Sequence, residues 1–125
     1  MIKEDYCSYE VAKILKEKGF NESCYTCYVE KEISHYDYSS TNYELIDGVI
    51  SCPTIQMAMK WLREEKNIFI VIVPHAYDYI NEKNKSYACS LWVNDNYYEY
   101  IESKNYPSYE EAVEAALKYC LENLI

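Results

Sequence analysis

Two residue counts limit most strongly which folds and sites this chain can form: sixteen of its 125 residues are tyrosine and only two, Gly19 and Gly48, are glycine. A loop that cradles a phosphate or a dinucleotide needs clustered glycines, because the backbone must approach the ligand closely. Two separated glycines do not make such a loop, so we expect no bound cofactor. Tyrosine has an aromatic ring with a polar tip, which suits half-buried sheet faces and interfaces. The composition therefore favours a sheet-containing protein.

Length and charge narrow the class further. A chain of 125 residues fits a single domain over residues 1–125 and buries roughly two-thirds of its unfolded surface, enough for a core without metal or disulfide staples. The 12 basic and 21 acidic residues give a net charge of −9. A negative field repels a phosphate backbone, and nucleic-acid binders usually carry a basic stripe. We therefore expect no direct binding to nucleic acid.

The six cysteines are expected to be reduced. The first residues contain no apolar stretch of the kind found in a signal peptide. The longest apolar run, residues 68–73, is too short to span a bilayer. The sequence therefore predicts a cytoplasmic protein without membrane association, in which most cysteines are small apolar core residues.

Three amphipathic helices are predicted. The first covers about residues 8–18, with Ser8 as N-cap and Gly19 as its end. The second starts at Pro53-Thr54 and runs to about Lys66. The third follows Ser108, which begins a capping box, and keeps apolar residues at a spacing of three and four.

Tyrosine, valine and threonine in residues 24–29 predict a strand, and residues 33–38 are expected to pair with it. A loop follows and contains a short predicted strand at 43–46. Residues 68–73 are uniformly apolar, which is typical of a strand buried on both faces, and Pro74 is expected to end it. We therefore predict that this segment is the central strand.

Residues 86–93 and 97–102 predict a hairpin with a two-residue loop at Asp95-Asn96, which places Trp92 opposite Glu99. The predicted order is α-β-(β)-α-β-β-β-α. This order indicates an α+β protein with one antiparallel sheet of about four to five strands and three helices on one side.

Three parts of the chain resemble a family of small uncharacterised proteins of gut anaerobes, often encoded in prophages or other mobile elements. They are MIKEDYCSYEVA with LKEKGF (residues 1–12 and 15–20), PT with QMAMKWLRE (53–54 and 56–64) and YEEAVEAALKYCLENL (109–124). Together they cover under half of the chain. The family has no assigned activity, so the resemblance implies no functional residue. It implies a small cytoplasmic accessory protein.

Cys24 and Cys27 form a CxxC pair, but the pair lies in a predicted strand, where positions three apart point to opposite faces. A zinc site would need four convergent ligands, and His35 and Cys52 complete such a set only with irregular spacing. We therefore predict packed or half-exposed thiols, and no metal site.

His75 follows the predicted central strand and could be combined with Asp78 and Cys89 into a Cys-His-Asp arrangement. Nothing in the spacing fixes such a geometry, so we interpret His75 as a loop residue. The sequence predicts no catalytic residue, and we expect a protein that is not an enzyme.

Aromatic side chains outside the helices are the candidate functional residues. Exposed aromatic side chains rimmed by carboxylates are typical of protein-binding surfaces. The predicted interaction surface consists of Tyr36, Tyr38, Tyr77, Tyr79 and Trp92.

Three functional hypotheses follow. The first is a non-catalytic accessory protein that binds another protein through an acidic, tyrosine-rich surface. The second is an acidic DNA mimic that inhibits a host nucleic-acid-binding protein, for which strong salt dependence is expected. The third is a small metal-dependent or cysteine-dependent enzyme that uses Cys24, Cys27, His35 or His75.

Overall fold

The computed structural model describes residues 2–76, 85–99 and 105–125. Within these residues the chain has an α+β fold with three helices and two antiparallel three-stranded sheets. The helices are α1 (Tyr9–Glu17), α2 (Ile55–Lys66) and α3 (Tyr109–Asn123). All three predicted helices are confirmed.

Each helix begins at a hydroxyl side chain. The hydroxyl oxygens of Ser8, Thr54 and Ser108 accept hydrogen bonds from the backbone N–H three residues later, at 3.2, 3.1 and 3.1 Å. These bonds satisfy N–H groups that have no partner inside a helix. At the other end of α1, Gly19 has a φ of 97°, and the next N–H, from Phe20, returns to the carbonyl of Leu15 at 2.9 Å. This left-handed turn is why glycine ends the helix.

The first sheet consists of β1 (Cys24–Val29), β2 (Glu32–Ser40) and β3 (Val49–Ser51), in the order β2-β1-β3. The prediction of β1 and of its pairing with the following strand is confirmed. The short strand predicted at 43–46 is wrong, because residues 42–45 form a turn and a bend and the strand lies at β3. The turn is stabilised locally: the Thr41 N–H donates to the Glu44 carboxylate, and the Glu44 N–H donates to the Thr41 carbonyl.

The second sheet consists of β4 (Ile68–Ala76), β5 (Lys85–Val93) and β6 (Asn96–Glu99), in the order β4-β5-β6. The predicted central strand is therefore an edge strand among the described residues, and only one of its faces is buried. Pro74 does not end it either. Tyr87, the Cα partner of Pro74, exchanges both backbone hydrogen bonds with Tyr106 on its other side. The ring nitrogen of Pro74 therefore points to the open edge, where a missing N–H costs no ladder bond.

The predicted two-residue hairpin loop is confirmed in length but lies one position earlier, at Asn94-Asp95, whose φ angles are 50° and 69°. The register consequently moves by two residues: Trp92 pairs with Tyr97 rather than with Glu99. Two consecutive left-handed residues are needed in this type of turn, and asparagine and aspartate tolerate that conformation.

The prediction of one sheet with four to five strands is also corrected: β1–β3 precede α2 and β4–β6 follow it, and each set pairs within itself. α1 packs against α3 and β3, while α2 and α3 pack against β4. The helices and the inward residues of the second sheet, including Ile68, Ile70 and Leu91, form the main core. In the first sheet, Tyr28 and Ile50 pack with Ala12 of α1 in a smaller buried cluster.

Candidate interaction surface

The second sheet has an apolar face that points away from the helices. Along β4, Ile68 and Ile70 are buried, whereas Phe69, Val71 and Val73 are 42, 40 and 39% exposed. Successive side chains of a strand point to opposite faces, so burial alternates although hydrophobicity does not. An uninterrupted apolar run therefore supplies both a core face and a water-facing apolar face.

A row of aromatic rings crosses this face. Phe69 pairs with Trp92 on β5, and Trp92 pairs with Tyr97 on β6. The rings of Trp92 and Tyr97 meet edge to face, with centroids 5.5 Å apart and planes at 70°. Trp92 is 43% and Tyr97 is 59% exposed. We call Phe69, Val71, Val73, Trp92 and Tyr97 the aromatic sheet face.

Beside the aromatic rings, the aromatic sheet face contains small side chains on β5. Val71 pairs with Ser90 and Val73 pairs with Ala88, so small β5 side chains separate the branched β4 residues from the next strand. Large apolar side chains gathered on one sheet face differ from the scattered exposed residues of an ordinary surface. An apolar face of this kind can accept the surface of another protein.

The predicted interaction residues fall on two sheets. Trp92 belongs to the aromatic sheet face, whereas Tyr36 and Tyr38 lie on β2, with their rings 5.4 Å apart and 39 and 60% exposed. Tyr77 and Tyr79 lie outside the described residues. The structure therefore brings Tyr36 and Tyr38 together and places Trp92 in a different patch.

Sequence reasoning missed Phe69, Val71, Val73 and Tyr97, because a continuous apolar run indicates burial on both faces. The sequence of β5, which pairs with β4, did indicate that one face of the sheet is exposed. On β5, one set of alternating positions is apolar (Cys89, Leu91, Val93), while the other set includes the small residues Ala88 and Ser90 beside Trp92. A half-polar partner strand indicates that one face of the sheet contacts water.

Cys24 and Cys27 both line one cavity. Cys24 also packs against the main core, and the β1–β2 register shifts between Cys24 and Thr26. Both cysteines are free thiols. Burial raises the pKa of Cys24 to about 11. Since the thiolate is the nucleophilic form, Cys24 is a poor nucleophile near neutral pH.

Burial also raises the pKa of Cys7, Cys52, Cys89 and Cys120. It raises the pKa of Cys52 and of Cys89 to about 11 and that of Cys120 to about 12. The pKa of Cys7, which is fully buried, lies well above its ordinary value for the same reason. These thiols act as small core residues.

The two histidines lie in different sheets. The His35 ring contacts Tyr6 edge to face at 5.7 Å. His75 lies within β4, where it pairs with Ser86, and not in the predicted loop; Asp78 lies outside the described residues. In the part of the chain that the structure describes, no three His, Cys, Asp or Glu residues are arranged to hold a metal ion.

No helix among the described residues has the length and apolar character to cross a lipid bilayer. Comparison with protein-family models, with curated proteins and with solved structures found no match.

Proposed function

We propose that the chain is a non-catalytic accessory protein that binds another protein through the aromatic sheet face. The observation that carries the proposal is the row of Phe69, Trp92 and Tyr97 across three strands, each at least 42% exposed. Aromatic residues are enriched at protein interfaces, where a rigid ring buries a large area at low entropic cost. A cytoplasmic setting and an accessory role, as the family resemblance implies, belong to the same proposal.

The negative net charge of the chain favours a partner with basic residues around its binding surface. The chain has a net charge of −9, and the residues that define the aromatic sheet face are uncharged. A partner with an apolar patch and a basic rim would be attracted by the field and held by aromatic burial. Truncation of an aromatic residue at the centre of such an interface typically costs about 2 kcal/mol or more in binding free energy.

The test compares proteins captured by the immobilised wild-type chain with those captured by a Trp92→Ser/Tyr97→Ser variant, from a lysate of the cell that produces it. The matched control is Tyr43→Ser, which removes a tyrosine that is 80% exposed elsewhere. We expect a partner that the wild type and the control retain and the double variant loses. Unchanged circular dichroism establishes that the double variant is folded.

Two results would oppose the proposal. A partner captured equally by all three proteins would not use the aromatic sheet face. A partner that is insensitive to the double substitution and is released by raised salt would instead support the acidic DNA mimic, whose binding is mainly electrostatic.

A further inference from the structure

The first sheet has a cavity of about 290 Å³. Tyr28 faces the helices: its hydroxyl donates to the Cys7 carbonyl at 2.6 Å and its ring meets Tyr9 of α1. Cys27, the preceding residue, lines the cavity together with Cys24 and Thr26, so successive residues of β1 contribute to it. Cavities near this volume suit small molecules.

Two different parts of the chain form the walls of the cavity. Tyr36 and Tyr38 of β2 supply ring surface, with centroids 5.4 Å apart and planes tilted by 42°. Glu44, Leu45 and Ile46 supply the other wall, from the loop that precedes β3. Aromatic rings, a carboxylate and apolar side chains thus surround one space.

The loop wall is fixed by buried hydrogen bonds. Asn42, which is 4% exposed, donates from Nδ2 to the Phe20 carbonyl at 2.7 Å and accepts from the Ser51 N–H at Oδ1 at 2.9 Å. The Tyr43 N–H donates to Asn21 Oδ1 at 2.9 Å. Because this wall is held before any ligand arrives, binding requires little ordering of the chain.

Charge limits the ligand class. Among the residues that line the cavity, Glu44 carries a carboxylate, and there is no lysine, arginine or histidine. Glu44 Oε1 accepts from the Thr41 N–H at 2.9 Å, which fixes the carboxylate on the wall. Lys16 Nζ donates outside this lining to the Val49 carbonyl at 3.4 Å. Among the lining residues an anionic ligand would meet only the Glu44 carboxylate, and the net charge of −9 would disfavour it.

We propose that this cavity binds a small organic ammonium ion. The cation lies against the faces of Tyr36 and Tyr38, since aromatic rings attract cations through their negative faces. Glu44 balances its charge, and Leu45 and Ile46 contact its alkyl groups. This site lies on the first sheet and is independent of the aromatic sheet face.

The experiment titrates the full chain with choline and with 3,3-dimethylbutan-1-ol, a neutral molecule of the same shape, followed by calorimetry and NMR. We expect choline to bind more tightly by about fivefold or more, because only the cation gains from the rings and the carboxylate. Glu44→Gln and Tyr38→Leu should each weaken choline binding severalfold. Glu44→Gln should leave binding of the alcohol unchanged.

Glu17→Gln on α1 is the matched control, because it changes the net charge equally and Glu17 does not line the cavity. It should bind choline like the wild type. Equal affinity for choline and the alcohol, or no saturable binding of choline, would overturn the proposal. So would equal weakening by Glu17→Gln and Glu44→Gln. Urea midpoints verify folding, and Tyr38→Leu, on a separate element, tests the site if Glu44→Gln fails to fold.

Discussion

Two buried hydroxyl groups in the first sheet differ in whether they have a partner. Thr26, which is 5% exposed, donates from Oγ1 to the Cys52 carbonyl. Ser51, which is 1% exposed, has a hydroxyl oxygen without a hydrogen-bond partner among the described residues. A buried hydroxyl without a partner loses its hydration and gains nothing in return.

Opposite effects are therefore expected from removing the two hydroxyls. Thr26→Val leaves the Cys52 carbonyl without this donor and should lower the free energy of unfolding by about 1–2 kcal/mol. Ser51→Ala removes an unsatisfied group and should leave stability unchanged or raise it by about 0.5–1 kcal/mol. Urea denaturation of both variants measures the difference. A larger loss in Ser51→Ala than in Thr26→Val would show that Ser51 has a stabilising partner.

At the residue scale, the sequence predicted contacts between near neighbours. The caps at Ser8 and Ser108 join residues three apart, so capping chemistry alone identifies them. Tertiary partners were not predictable. Both Glu114 carboxylate oxygens accept from Ser8, one from its N–H at 2.7 Å and the other from its hydroxyl at 2.8 Å. That pairing depends on how α1 and α3 dock, which no local pattern encodes.

Among the elements, two tight hairpin turns share one backbone geometry. Glu30-Lys31 joins β1 to β2, and Asn94-Asp95 joins β5 to β6; all four residues have positive φ. Glycine adopts this conformation without steric cost, whereas other residues are strained in it. The chain thus forms both turns without using either of its glycines.

Asp95→Gly should therefore stabilise the second hairpin. With a φ of 69° at Asp95, we expect the free energy of unfolding to rise by about 0.5–1 kcal/mol, since the strain is relieved and an Asn-Gly turn results. Asp95→Val should have the opposite sign, because a β-branched side chain is poorly tolerated there. Thermal unfolding of the two variants tests this ordering. Destabilisation by glycine would mean that the aspartate side chain stabilises the turn.

The helices were predictable as elements because period, cap and stop signals agree over a dozen or so residues. The sequence predicted that β4 is a strand, but it did not predict whether one or both of its faces are buried. A uniformly apolar strand has the same sequence whether one face or two are covered. Its position depends on which strands pair with it, and here β5 alone does so among the described residues.

For the molecule as a whole, buried thiols link stability to alkaline pH. Burial raises the pKa of Cys52 and Cys89 from 9.0 to about 11, and that of Cys120 to about 12. The unfolded chain releases these protons at the lower value. The contribution of these thiols to the free energy of unfolding is therefore fully present below about pH 9 and is lost as the pH rises through 11 to 12.

We expect the urea midpoint to be constant up to about pH 9 and to fall progressively above it. Cys120→Ala removes one of the thiols with a raised pKa, so the urea midpoint should fall less steeply with pH. This holds whatever the substitution costs in packing at neutral pH. Denaturation series for the two proteins across this range provide the measurement. A midpoint that does not change with pH, or equal slopes in both proteins, would contradict the linkage.

The sequence predicted the α+β class but not the division into two sheets. Nor did it predict the cavity, whose loop wall depends on contacts of Asn42 with Phe20 and Ser51. These residues come from three separate segments. Hydrophobic periodicity determines which face of an element is buried, but it does not determine which segments meet.

The bond between Ser8 and Glu114 has a consequence for synthesis. The two residues are 106 positions apart, and a ribosome adds about 5–20 residues per second, so Ser8 is synthesised roughly 5–20 s before its carboxylate partner exists. During that interval α1 also lacks α3, against which it packs. The surroundings of α1 are therefore incomplete until α3 has been made. The helix made first is thus among the last to reach its final environment.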